Sequence, residues 1–272
     1  MVTGSYLLQR LSSFVWCVRP EFLVNIQNVL NSKFLEGFDF KMLKEDDERF
    51  SDYLSYEVVG NKLVVNLDGV LMTKASWLDS FCGFISMQKV SSLLREAEAD
   101  DRIDHIILVW DSPGGSAVGC EELSDLIYSL RRTKRITSLC AGEMCSAAYF
   151  IGSAADEVFA SSKVVPIGSI GSYLLHVDQS QADKDIGLKY TYIAAGEYKT
   201  LGNPHEALDQ KAYKFLQDQA NYCYDVFLDH VARNRNLNKK DISFAEGRVY
   251  DAGQAPKEML DGFKTLEEIL ED

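Results

Sequence analysis

Ser146 stands at the head of Met144 to Ala155, an uncharged run bounded by Glu143 and Asp156 and rich in Ala, Gly and Ser. At the start of a helix, unpaired N–H groups and the positive dipole end favour a developing negative charge. Two readings of Ser146 therefore stand side by side. It is a helix N-cap, or it is a nucleophile with the Ala147 N–H beside it. Asp111-Ser112-Pro113-Gly114-Gly115-Ser116 is a second stretch of interest. Its proline fixes one φ, and its glycines open backbone conformations in which N–H groups of Gly114 or Gly115 face a cleft and hold an oxyanion. The plain alternative is a tight turn between strand and helix. A third stretch, Pro166-Ile167-Gly168-Ser169-Ile170-Gly171-Ser172, lacks the phosphate-loop and dinucleotide patterns and reads as a turn presenting the Ser169 hydroxyl. Lys199 lies between Gly196 and Gly202. As a general base it must be neutral near pH 7, which asks for a fall of about three units from about 10.4, or about 4 kcal/mol. Burial against small apolar walls supplies such a fall, with Ser169 orienting the amine; an exposed loop lysine is the alternative.

Other catalytic groups fit less well. His105 falls in a buried strand and His230 on a long helix, both structural positions, and neither His176 nor His205 follows a visible Asp-anchored pattern. Ala148 occupies the second glycine position of a GxSxG elbow, so a Ser-His-Asp triad is a poor fit. Cys145 is read as a small core residue rather than a rival nucleophile. The six cysteines form no CxxC pair and no His stands at ligand spacing, so no metal or cofactor is expected.

The elements that must hold these residues are legible in the pattern. Short strands run Tyr56 to Val59 and Lys62 to Leu67 around the Gly60-Asn61 turn. A helix covers Ser86 to Ala99, and Ile103 to Trp110 is an apolar run suited to a strand buried on both faces. Helix Glu121 to Arg132, strand Ile136 to Ala141, helix Ser146 to Ala155, strands Glu157 to Ala160 and Lys189 to Ala194, and a long helix Glu206 to Asn236 follow. A strand at Arg248 to Tyr250 and a helix Thr265 to Asp272 complete the order, an α/β plan with a mainly parallel sheet. Residues 1–50 are expected to be a helical arm and linker, with helices around Leu7 to Val15 and Glu21 to Leu30; residues 51–272 form the main domain.

With 41 acidic against 28 basic residues, the net charge of −13 argues against nucleic acid and anionic membrane surfaces as partners. Uncharged runs stay short of the roughly 20 residues of a spanning helix, and the expected location is cytoplasmic.

Together, Asp111 to Gly115, Ser146-Ala147-Ala148-Tyr149 running on to Asp156, Gly168-Ser169-Ile170-Gly171 and Gly196-Glu197-Tyr198-Lys199 resemble, in order and spacing, the signal peptide peptidase A family of serine/lysine peptidases. The resemblance covers the chain from about Val58 onward. It implies a Clp-protease/crotonase-like fold, Ser146 as nucleophile, Lys199 as general base, Ser169 positioning the lysine, and an oxyanion hole from Gly114, Gly115 and Ala147. Gly202-Asn203-Pro204, Val231 to Arg235 and Glu246 to Tyr250 are similar to the phage capsid-assembly branch. That branch implies a peptide or protein substrate among capsid or scaffold proteins, and the family implies a homo-oligomeric ring, with the Ser146–Lys199 dyad completed either within one chain or between neighbours. Met259-Leu260-Asp261-Gly262 departs from the family's usual Gly-Leu-Val-Asp turn, and Cys145 stands where a residue such as Ala is expected. The alternatives are a signal-peptide- or polypeptide-degrading peptidase, a crotonase-like acyl-CoA enzyme and an inactive capsid component.

Overall fold

Residues 15–19, 54–75 and 83–272 are described by the structure, a computed structural model. In chain order they form β1 (Trp16–Val18), β2 (Ser55–Val59), β3 (Lys62–Asp68), β4 (Val70–Met72), β5 (Phe84–Ser86), α1 (Met87–Ala99), β6 (His105–Ser112), β7 (Gly114–Ser116), α2 (Cys120–Leu130), β8 (Arg135–Cys145) and α3 (Ala147–Gly152). There follow β9 (Glu157–Ala160), β10 (Pro166–Gly168), α4 (Ser180–Asp185), α5 (Gln210–Arg235), α6 (Lys240–Ser243), β11 (Val249–Asp251), β12 (Gly262–Phe263) and α7 (Leu266–Glu271). Of the expected helices, Leu7 to Val15 lies outside the described residues except for Val15, which is irregular chain, and Glu21 to Leu30 lies wholly outside them; Trp16–Val18 is a strand that the sequence pattern did not announce.

The larger sheet has the order β11-β10-β8-β6-β3-β2, with β9 and β12 continuing from β8. The pairs β3–β6, β6–β8, β8–β9 and β8–β10 are parallel; β2–β3 and β10–β11 are antiparallel. This is the mainly parallel α/β sheet the pattern implies, with a long C-terminal helix. The run ending at Trp110 behaves as a strand buried on both faces must. Ile106, Leu108 and Trp110 join the principal core, whereas Ile107 and Val109 face a smaller cluster closed by Ile269 of α7. Asp111 to Gly115 is not a simple strand-to-helix turn. β6 runs on to Ser112, slips register opposite β8, and after Pro113 the chain enters a second sheet of order β1-β7-β4-β5.

Small residues let α3 sit close to the sheet. A Cβ on Gly152 would stand 2.7 Å from Met144 Sδ and 3.1 Å from Trp110 Nε1. The Trp110 indole donates to Ser138 Oγ, which donates to the Gly152 carbonyl, and the Tyr149 hydroxyl donates to the Met259 carbonyl. From α5, the Asn234 amide donates to Ser124 Oγ of α2 and to Ser153 Oγ just after α3. No helix among the described residues is long and apolar enough to cross a membrane.

Two stability outcomes follow from these contacts. Asn234→Leu keeps the branching at Cγ but leaves two fully buried hydroxyls without their donor, so the urea midpoint should fall by the equivalent of about 2 kcal/mol. His105 is buried against Thr137, and burial, with Arg135 and Lys62 nearby, lowers its pKa from 6.5 to about 4. Below pH 6.5 the unfolded chain binds a proton that the folded chain refuses. The stability His105 contributes is whole above that pH and is lost as the pH falls to about 4, roughly 2 kcal/mol in urea titrations. His105→Gln should flatten that part of the profile.

Candidate active site

β8 delivers Ser146 and α3 begins immediately after it. The residue makes the whole turn alone, with φ 56° and ψ −118°. A strained non-glycine conformation costs about 1–3 kcal/mol and persists only where its surroundings hold it. Here the Ser146 N–H donates to the Gly168 carbonyl at 2.7 Å, and its carbonyl accepts from the Phe150 N–H at 2.8 Å. The residue is 1% exposed, and its side chain makes no capping hydrogen bond to α3. Ser146 thus holds the cap position without doing the cap's work.

Gly114 lies against this turn. Its φ is 106°, and a Cβ there would stand 2.1 Å from the Cys17 carbonyl oxygen, 2.9 Å from Ser146 Cβ and 3.0 Å from the Ala147 nitrogen. Only a residue without a side chain fits among these atoms. The Gly114 N–H donates to Ser112 Oγ at 3.3 Å. Gly115 is oriented by its strand. β1 and β7 pair antiparallel with Cys17 opposite Gly115, flanked by bonds from the Ala117 N–H to the Val15 carbonyl and from the Arg19 N–H to the Pro113 carbonyl. Alternate antiparallel pairs exchange both bonds, so the Gly115 N–H faces the Cys17 carbonyl. As the first residue of α3, Ala147 has an N–H with no partner inside the helix. The Gly115 N–H is thus engaged by β1, while Gly114 is the glycine that lies against Ser146 and Ala147.

β10 brings up the third stretch. After Gly168, Ser169 has φ 53° and its N–H donates to the Arg248 carbonyl at 2.8 Å. Ser146 and Ser169 line one cavity of about 270 Å³, with Val18, Asn221, Tyr224 and Glu246 on its walls.

Lys199 is not part of this cavity. It is exposed, and its amine makes no hydrogen bond or ion pair with any described residue. The expected strand Lys189 to Ala194 is irregular chain instead, so Lys199 does not follow a strand end. The structure unites three of the four stretches and leaves the fourth outside.

Other side chains differ from expectation. His205 does have an aspartate anchor: Nδ1 lies 2.8 Å from Asp183 Oδ2, and the ring stacks on Tyr190. These partners sit far from His205 in sequence and none lines the Ser146 cavity; the trio ties the His205 loop to α4 and to the Tyr190 segment. Arg19 pairs with Glu143 on β8 at 2.9 Å. Cys17 of β1 hydrogen-bonds Cys223 of α5, which, with its burial, holds the Cys17 thiol well above the usual range. Cys145 is a buried core residue, as expected. Among the described residues no cluster of His, Cys, Asp or Glu could hold a metal ion.

Known proteins resemble this chain. It is 30% identical to the head-tail preconnector protein GP5 of Enterobacteria phage P21 over 72% of its length and 39% of that protein's. It is 27% identical to the capsid assembly protease C of Escherichia phage lambda, over 78% of this chain and 48% of that one. Protease 4 of Haemophilus influenzae is 27% identical over 84% of this chain and 37% of its own length. The chain thus spans less than half the length of each of these relatives. A ClpP1 mutant from Listeria monocytogenes aligns with a TM-score of 0.48 at 14% identity, over 76% of this chain and 94% of that one. Peptidase family S49 matches residues 129–271. That segment is more than half of the chain and carries Ser146, Ala147, Ser169 and Lys199 together, and the chain belongs to this family.

Proposed function

We propose that this chain is a serine endopeptidase that cuts protein substrates through an acyl-enzyme on Ser146. The observation that carries the reading is the turn at Ser146. A strained, buried serine whose hydroxyl is spared from helix capping sits between Gly114 and the first residue of α3 and opens on a cavity shared with Ser169. Strain of this kind gathers at functional sites. In the proposed cycle neutral Lys199 takes the Ser146 proton, Ser146 Oγ attacks the scissile carbonyl, and the N–H groups of Gly115 and Ala147, with Gly114 giving them room, hold the oxyanion. The lysine returns the proton to the leaving amine, and water releases the acyl group. Ser169 positions the lysine amine.

Lys199 reaches Ser146 in an assembly. A lysine base needs burial to be neutral, and here it is exposed, in a segment that also exposes Ile186, Leu188, Tyr190, Tyr192 and Ile193, the last of them 98% accessible. An apolar surface of this kind marks an interface. A neighbouring copy docked there would cover Lys199 and complete a site in a homo-oligomeric ring. The similarity to two phage head proteins makes capsid or scaffold proteins the favoured substrates, with other polypeptides, signal peptides included, as the alternative. The acyl-CoA reading has no support in a peptidase family.

Ser146→Ala should abolish cleavage of co-expressed capsid and scaffold candidates, read by mass spectrometry of the products, while circular dichroism stays unchanged. Full turnover by that variant removes the nucleophile assignment. Lys199→Ala alone should also be inactive. Mixing it with Ser146→Ala before assembly should restore a fraction of wild-type turnover, because some interfaces then join an intact serine to an intact lysine. A mixture as dead as its parts refutes a dyad shared between subunits.

A further inference from the structure

β1 has no role in the chemistry above, yet it lies across it. Its main chain is paired on both sides. Toward β7 it follows the register Trp16 to Ser116, Cys17 to Gly115 and Val18 to Gly114; on the other side the Trp16 N–H donates to the Tyr173 carbonyl at 2.9 Å and the Tyr173 N–H donates back at 3.0 Å. An extended segment held by its backbone on both edges, with side chains sent into pockets, is in the position of a bound peptide. We propose that β1 occupies the lane that takes substrate, and that the Cys17–Val18 peptide bond is one the enzyme cuts in its own chain. This rests on the peptidase reading of Ser146.

The position of the carbonyls chooses the bond. The Cys17 carbonyl oxygen faces the Gly115 N–H, and the empty point above Gly114 lies 2.1 Å from that oxygen, 2.9 Å from Ser146 Cβ and 3.0 Å from the Ala147 nitrogen. Cys17 is thus the residue of β1 whose carbonyl lies beside Ser146 and the start of α3. Val18, next along the chain, lines the cavity with Ser146. In the reaction the Ser146 Oγ–Cys17 carbon bond forms as the Cys17–Val18 C–N bond breaks. The Ser146 proton passes through the lysine amine to the Val18 nitrogen. Water then hydrolyses the ester, leaving a Cys17 carboxylate and a regenerated serine.

The same contacts describe the class of peptide the lane accepts. The residue that supplies the carbonyl is small, its side chain buried with Cys223 and Cys120. A large aromatic side chain precedes it, since Trp16 is wholly buried. A basic residue stands two places beyond it, where Arg19 meets Glu143. An extended segment of the form aromatic, small, β-branched, basic is the expected substrate, in this chain and in others.

The test follows the full 272-residue chain, tagged at its C-terminus, by intact-mass spectrometry, beside Ser146→Ala, Val18→Pro and a parallel casein digestion. The expected result is a wild-type product that begins at Val18, with no such product from either variant; the proline removes the N–H and the extended freedom of the leaving residue. Wild type that digests casein while keeping residues 1–17, or that cuts itself elsewhere, overturns the proposal and leaves the peptidase reading standing. If casein survives as well and a fluorophosphonate fails to label Ser146, the peptidase reading falls and this inference falls with it.

Discussion

Close approach at Gly114 is the constraint on which the site depends. The two sheets, the turn at Ser146 and the first residue of α3 meet where a single methyl group would collide with three neighbours at once. Gly115 meets the same limit from the other side, since a Cβ there would lie 1.9 Å from the Leu71 carbonyl oxygen. Close packing of this kind leaves no slack to absorb a displaced backbone. The strain at Ser146 is held by the same neighbours: β10 accepts its N–H, and α3 donates to its carbonyl. Relaxing the serine would require β8, β10 and α3 to move together.

The parallel core behind the site exists to make that rigidity possible. β6 and β8 are covered on both faces, and the ladder between them breaks step only between Trp110 and Ser112. At that break β6 gives way to the glycine strand of the second sheet. The irregularity thus falls at the carboxyl end of a parallel strand, where open α/β sheets place their ligands. Trp110, Ser138 and Gly152 stitch α3 down just behind it.

How much of this was legible in the sequence depended on how local the cause was. The apolar run into Trp110, the small-residue helix after Ser146 and the final helix from Thr265 are local patterns, and each appears where expected. The glycines at 114 and 115 were recognisable as special, but not why: their crowding comes from Cys17 and Leu71, far away in the chain. Distance in sequence also hid the Asp183–His205 pair and the Arg19–Glu143 pair. The alternation of Tyr190, Tyr192 and Ala194 imitated a strand, yet those side chains have no sheet face to cover and the tyrosines stand exposed. Trp16–Val18 has too few residues for any period to declare itself, and its strand exists only because β7 and Tyr173 offer it partners.

On the proposed reading, the strand in the lane and the exposed lysine belong together. A serine hydroxyl without a base is a weak nucleophile, so a peptide bond resting beside Ser146 in a single copy can persist. The fold can prearrange the amide donors, the strained serine and the peptide lane within one chain because each is fixed by backbone packing. The base is the group that packing within one chain leaves out, since Lys199 sits on a segment whose apolar side chains find no core of their own. Burial of that segment against another copy would supply both the apolar contact it lacks and the desolvation a neutral amine requires. Assembly and activation then become one event, driven by the same apolar surface, and the occupant of the lane changes from a packing strand to a substrate without moving.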